Sequence, residues 1–182
     1  MMTITSPNDF SSSLRAASLG LLFSILTILY GQGMGIAFGL NEDLIKDRLK
    51  AEAVSVQDTI YNNDAAAMKA VTDKSWSYMK RAHLHAGGMG TTAIALVVVL
   101  CLIGASRKVT GILSLLLGAG GLGYSIYWMW AGFRAPGLGG TGAAKESLKL
   151  LAMPSSGGFV VATVAVFVLF LIWMVRGRGQ DA

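Results

Sequence analysis

Four stretches of this chain, at about 16–40, 82–105, 109–133 and 157–175, are apolar and carry no charged side chain in their interiors. Each is long enough to cross roughly 30 Å of hydrocarbon as a helix. Lipid offers the backbone no hydrogen-bond partners, so such runs must satisfy their own N–H and C=O groups as helices. This feature predicts an all-α fold: an integral membrane four-helix bundle forming one transmembrane domain over residues 1–182. An apolar content of 53% and a mean hydropathy of +0.57 fit that class.

A short polar leader containing Arg15 precedes the first run, as in a secretion signal. The apolar stretch exceeds the roughly 7–15 residues of a signal centre, and no convincing Ala-x-Ala cleavage site follows, so it reads as a retained anchor. Cys101, the single cysteine, falls in mid-membrane and forms no internal disulfide. The net charge of +5 raises the question of nucleic acid. Its cations are spread over loops and helix ends without a basic block, which excludes that partner.

Four crossings place both termini and the 106–108 turn on one face, with 41–81 and 134–156 on the other. Cations in short loops mark the cytoplasmic side. Arg107 and Lys108 in the turn, with Arg176 and Arg178 in the VRGRG tail, therefore predict cytoplasmic termini in a bacterial inner (plasma) membrane. Lys80 and Arg81 flank the second span and pull the other way.

Between the first two spans the sequence predicts an extramembrane helical hairpin over about 41–81. Asn41 followed by Glu42 and Asp43 has the form of an N-cap with acids in the first turn. Leu44, Ile45, Leu49, Ala53 and Val56 then give an apolar edge at helical spacing. TIYNN breaks the pattern, and Asp64 is suited to cap one long helix that starts in water and continues into the second span. After the third span APGLGGTG is a loop by its Pro and Gly content. An interfacial helix over about 142–153 follows, closed by Pro154. Tyr124, Tyr127, Trp128 and Trp130 match an aromatic belt at the water boundary.

Gly31, Gly35 and Gly39 make a bare stripe on the first span, the pattern that lets helices approach closely in lipid. With the glycines of the third span they exceed what one bundle needs, which suggests a homo-oligomer or other membrane subunits as partners.

The stretch RAHLHAGGMG holds both histidines of the chain, His83 and His85, where the second span begins. Ionisable groups at membrane depth mark function by default. Two positions apart on a helix means roughly 200° apart, so the two rings must face different neighbours. His85 and Met89 share a face, as do His83, Gly87 and Gly90. Met34 and Met129 lie at similar depth by residue count.

Three readings follow. One imidazole ligates a b-type haem, with a thioether or an outside group as the sixth ligand, Gly87 and Gly90 as a flat face, and Arg81 or Arg134 on the propionates. Alternatively, His83 or His85 joins Met34, Met89 or Met129 in a copper site, since thioethers select Cu(I). In the third, the histidines only tie helices together through backbone and acids. A quinone site built from the same groups is a further variant.

RAHLHAGGMG resembles a set of bacterial membrane proteins in which an H-x-H opens a span. Some of these are similar to haem–copper oxidase catalytic subunits around a haem-ligating histidine. The resemblance implies His83 and His85 as haem ligands. The further histidines an oxidase needs are missing, so it does not imply oxidase activity for this chain alone.

No HExxH, P-loop, CxxC or GxSxG is present, and GAGGLG at Gly118–Gly123 lies inside a span after no strand. No catalytic residue is assigned, and the chain alone is not expected to be an enzyme. The expectation is a small redox or metal-binding membrane subunit holding haem b or copper, passing electrons to a quinone or a soluble carrier. The alternative is a non-catalytic scaffold or assembly subunit with structural histidines.

Overall fold

The structure, a computed structural model, describes residues 7–178. The outer leader (1–6) and the end of the tail (179–182), part of the stretch used to orient the chain, lie outside the described residues. Helices α1 (Pro7–Ala16), α2 (Ser18–Val54), α3 (Ala65–Leu102), α4 (Arg107–Arg134), α5 (Thr141–Glu146) and α6 (Lys149–Arg178) follow in order, with no strand among the described residues. Four of them, α2, α3, α4 and α6, are long and apolar enough to span a bilayer. The chain is an all-α, multi-pass membrane protein.

Hydroxyl groups in the spans find acceptors within their own helices. Ser24, Thr27, Ser125 and Thr163 each donate a hydroxyl hydrogen to the carbonyl four residues back, at 2.7–2.9 Å. This return bond is what lets Ser and Thr sit in a lipid-embedded helix.

Glycine sets the packing. Helix α4 lies at the centre and touches the other three spans, whereas α6 rests almost entirely on α4. A Cβ added at Gly118 would collide with the Gly20 carbonyl of α2; one at Gly120 would lie 2.7 Å from the Ser155 carbonyl oxygen of α6. At Gly121 it would lie 3.4 Å from Met89 Cβ of α3. On α2, Gly31 faces Ala86 and the Gly87 backbone, and Gly35 faces His83, while Gly39 meets open space. Gly31, Gly35 and the α4 glycines thus find partners inside one chain, and Gly39 alone of the α2 stripe is left open.

The terminal-side core joins Ala17, Ala93, Val97, Leu100, Cys101, Leu113, Leu117, Ala162 and Val166. Phe10 and Leu14 pack against it. The leader thus contains a helix, α1, that covers the end of the bundle. PNDFSSSLRA has too few apolar residues to announce this.

Asn41 marks the boundary expected of it: at φ −134° and ψ 30° it leaves helical geometry, and two helical segments meet there in a kink within α2. Beyond the kink, i,i+4 ion pairs Lys46–Glu42 and Arg48–Glu52 line the exposed surface and support the second segment. One expected boundary is corrected. Pro154 does not close an interfacial helix over 142–153. Helix α5 ends at Glu146, and α6 starts at Lys149 and passes through Pro154. The carbonyl deprived of its usual N–H partner belongs to Leu150, which is 85% exposed at the start of the helix.

Asp64 caps α3 as its position suggests, accepting from Ala66 N and Ala67 N at 2.9 and 3.0 Å. Asn62 and Asn63 before it adopt positive φ, a conformation asparagine tolerates better than most residues. The charged end of α2 and the start of α3 pair as a two-helix stalk, joined at the bend by Phe38–Trp76 edge contact at 5.0 Å.

Loop 135–140 folds onto this stalk. The Tyr61 hydroxyl donates to the Pro136 carbonyl at 2.7 Å, and Gly139, at φ +73°, sits directly over Ile60. Only glycine takes that backbone without strain or collision. Replacing Tyr61 by Phe is expected to cost about 1 kcal/mol, the net worth of one such bond. Hydrogen exchange in the 135–140 loop should report the loosening.

Burial also pushes the Tyr61 phenol above its ordinary pKa. Its contribution is therefore full below pH about 10 and lost as pH rises through the folded-state value. Alkaline titration should release the loop in the native chain but change little in Tyr61→Phe.

Candidate functional site

Helix α3 passes from stalk to span at RAHLHAGGMG, and its two imidazoles diverge as their spacing requires. His83 turns to α2. Its Nδ1 lies 2.8 Å from the Gly31 carbonyl oxygen. A carbonyl only accepts, so Nδ1 carries the hydrogen, and in the neutral ring Nε2 keeps the free lone pair. Gly35 makes room: a Cβ there would stand 2.9 Å from His83 Cε1. The Phe38 ring closes one side, centroid to centroid 6.2 Å.

His85 turns to α4. It stacks on Tyr124 at 5.3 Å with 23° between planes, and meets Trp128 at 5.9 Å. Trp128 is the hub of the cluster. Tyr78 stands perpendicular to it at 4.8 Å and Tyr127 lies at 5.2 Å. The Arg81 guanidinium sits 4.9 Å from the Trp128 ring and 5.4 Å from that of Tyr78. Cation–π contact holds this positive group in the cluster, with no ion pair to an acid among the described residues. The Trp128 Nε1–H is buried and has no acceptor.

These positions revise the aromatic belt. Tyr127 and Trp128 are buried, and Tyr124 is half-buried against them; Trp130 alone of the four faces outward. Spacing by three and four residues along α4 was the available signal that these rings form an inward stripe. Reading them by depth alone missed it.

Other anticipated site residues scatter. Met34 is buried in the Trp128 cluster, and Met129 packs on the outside of it. Met89 leans on Gly121. Gly87 is open, but the space beside Gly90 is filled by α2: its Cβ would lie 2.7 Å from Ile28 Cγ1 and 3.0 Å from the Ser24 carbonyl oxygen. The flat glycine face expected to receive a porphyrin is thus interrupted by a packed helix. Arg134 is not beside the histidines; it lines a separate groove with Arg48 and Glu52. Among the described residues, no group of three His, Cys, Asp or Glu is placed to hold a metal ion.

The stalk carries a groove of about 410 Å³ between its two helices. Leu49, Ala53, Met68 and Trp76 contribute apolar surface, while Lys46, Lys50 and Lys69 alternate with Asp47 and Asp73 along it.

No family model matches the chain, and neither a curated protein nor a solved structure is significantly similar to it. The resemblance of RAHLHAGGMG to haem-ligating helices gains no support from that side, and function rests on geometry.

Proposed function

We propose that the protein is a non-catalytic scaffold subunit of a membrane complex, held in the bacterial inner (plasma) membrane with its termini cytoplasmic. One observation carries this reading: both imidazoles are engaged in holding helices, His83 to the α2 backbone and His85 to the α4 aromatic stripe. The glycines around them serve the same end, since Gly31, Gly35 and Gly90 are filled by neighbouring helices. The stalk groove, with apolar surface and charges of both signs, is the contact surface for a partner subunit.

The orientation follows from Arg107 and Lys108 in the shortest connection between spans, where cation bias has most weight.

The test uses the full chain purified in mild detergent from haem-replete, copper-supplied cells. The expected product is colourless and metal-free. His83→Ala should lower its unfolding free energy by about 1–2 kcal/mol, through loss of a half-buried hydrogen bond and its packing. A stoichiometric haem band or copper content that vanishes in His83→Ala overturns the scaffold reading.

One feature favours a second reading, the redox subunit. An imidazole whose Nδ1–H is fixed on a carbonyl is oriented as metal-ligating histidines are, with Nε2 free. His83 then supplies one ligand to haem b or copper, and a second copy or a partner supplies the rest. A quinone or a soluble carrier exchanges electrons with that site. A haem band that forms only in the oligomer or the whole complex distinguishes it.

A further inference from the structure

The second groove, about 420 Å³, opens where α4 ends. Helix α4 has 28 residues, from Arg107 to Arg134. At 1.5 Å per residue it measures roughly 40 Å, longer than the hydrocarbon layer of about 30 Å. Cations at both ends place Arg134 at headgroup depth.

The groove has an open apolar side: Trp130, 55% exposed, and Phe133, 36%, on the last turns of α4, with Leu138, 39%, from the loop that follows. Its other side carries Arg48 and Arg134. The one carboxylate lining it, Glu52, already pairs with Arg48 at 2.7 Å. Arg134 has no ion-pair partner among the described residues, so the groove keeps one uncompensated positive charge.

We propose that this groove binds one anionic glycerophospholipid. The phosphate lies by the Arg134 guanidinium, within the field of Arg48, and an acyl chain runs down over Trp130 and Phe133. Two features select this occupant. The charge asks for an anion, and guanidinium forks match phosphate oxygens in pairs. The exposed aromatic surface sits at bilayer depth, where only the ligand's own hydrocarbon can cover it continuously with the charge. A zwitterionic lipid meets the second condition but brings a cation beside Arg134. A free phosphate ester meets only the first.

The test is native mass spectrometry of the full chain released from micelles doped with equal amounts of phosphatidylglycerol and phosphatidylcholine. The expected result is one phosphatidylglycerol retained per chain in preference to phosphatidylcholine. Arg134→Gln should reduce that preference about fivefold, the usual contribution of one cation near an anionic headgroup. Arg134→Lys should restore part of it, as a point charge without the fork. Arg107→Gln, at the opposite end of α4, should leave it unchanged. Excess glycerol phosphate should not displace the lipid.

Equal retention of both lipids overturns the proposal, as does a preference untouched by Arg134→Gln. A loss just as large in Arg107→Gln means that net charge alone acts. Displacement by glycerol phosphate means that the ligand is a soluble ester. Because Arg134 is exposed and unpaired, its substitution does not threaten the fold, and an unchanged unfolding temperature serves as the control.

Discussion

Gly118→Ala is expected to destabilise the bundle by about 3 kcal/mol, the upper part of the usual range for overpacking. The added methyl would overlap the Gly20 carbonyl of α2 and stand 3.0 Å from Phe23 Cβ. Neither neighbour is the tip of a flexible side chain. Relief requires α2 and α4 to separate, which loosens the packing on which helix association in lipid chiefly depends. Gly20→Ala should cost a similar amount, since its Cβ meets the Ser114 backbone, with Ser114 Cβ at 2.6 Å. The double variant should cost less than the sum, because both changes open one seam. Gly157→Ala is the contrast: nothing lies within 4 Å of its Cβ position in α6. Helix propensity alone then favours alanine, by up to about 1 kcal/mol. Denaturation of the four proteins in mixed micelles checks the order. Equal small effects at Gly118 and Gly157 would show that α2 and α4 do not touch backbone to backbone.

Trp128→Ala should be as damaging, at about 3–5 kcal/mol, the range for deleting a large buried aromatic. Contacts from α3 and from its own helix converge on this ring, Tyr78, Arg81 and His85 from the first and Tyr124 and Tyr127 from the second, and Met34 of α2 belongs to the same buried cluster. Trp128→Phe should recover most of the loss. The indole N–H has no acceptor, so its removal forfeits no hydrogen bond. Coupling between Arg81 and Trp128, read from a double-mutant cycle, should be near 1 kcal/mol, the value of a partly desolvated cation–π pair. A Trp128→Ala protein that unfolds like the wild type would remove the cluster from the account of stability.

Much of the fold could be read along the chain. The four spans, the start of α3 at Asp64, its unbroken passage through the histidines and the divergence of His83 from His85 all follow from local rules. Lipid forbids unsatisfied backbone, a carboxylate side chain caps a helix, and a 3.6-residue period separates neighbours at i and i+2. The candidate site was legible only in part. Its histidines were visible, but their partners are carbonyls and rings on other helices. Gly31 lies on α2 and Tyr124 on α4, each far from α3 in sequence. The aromatic run of α4 was assigned to the lipid boundary because depth can be counted in residues, whereas facing depends on which neighbour is present.

Sequence by itself decided which segments enter the bilayer, because transfer of an apolar helix into lipid depends on that helix alone. It also fixed where cations gather, and that the imidazoles lie at one mouth of the bundle. Tertiary structure decided what each glycine admits, which aromatic rings turn inward, where loop 135–140 is pinned, and that Arg134 stands apart from the histidines. Those outcomes depend on pairs of surfaces fitting within a few tenths of an ångström, and no single segment carries the shape of its partner.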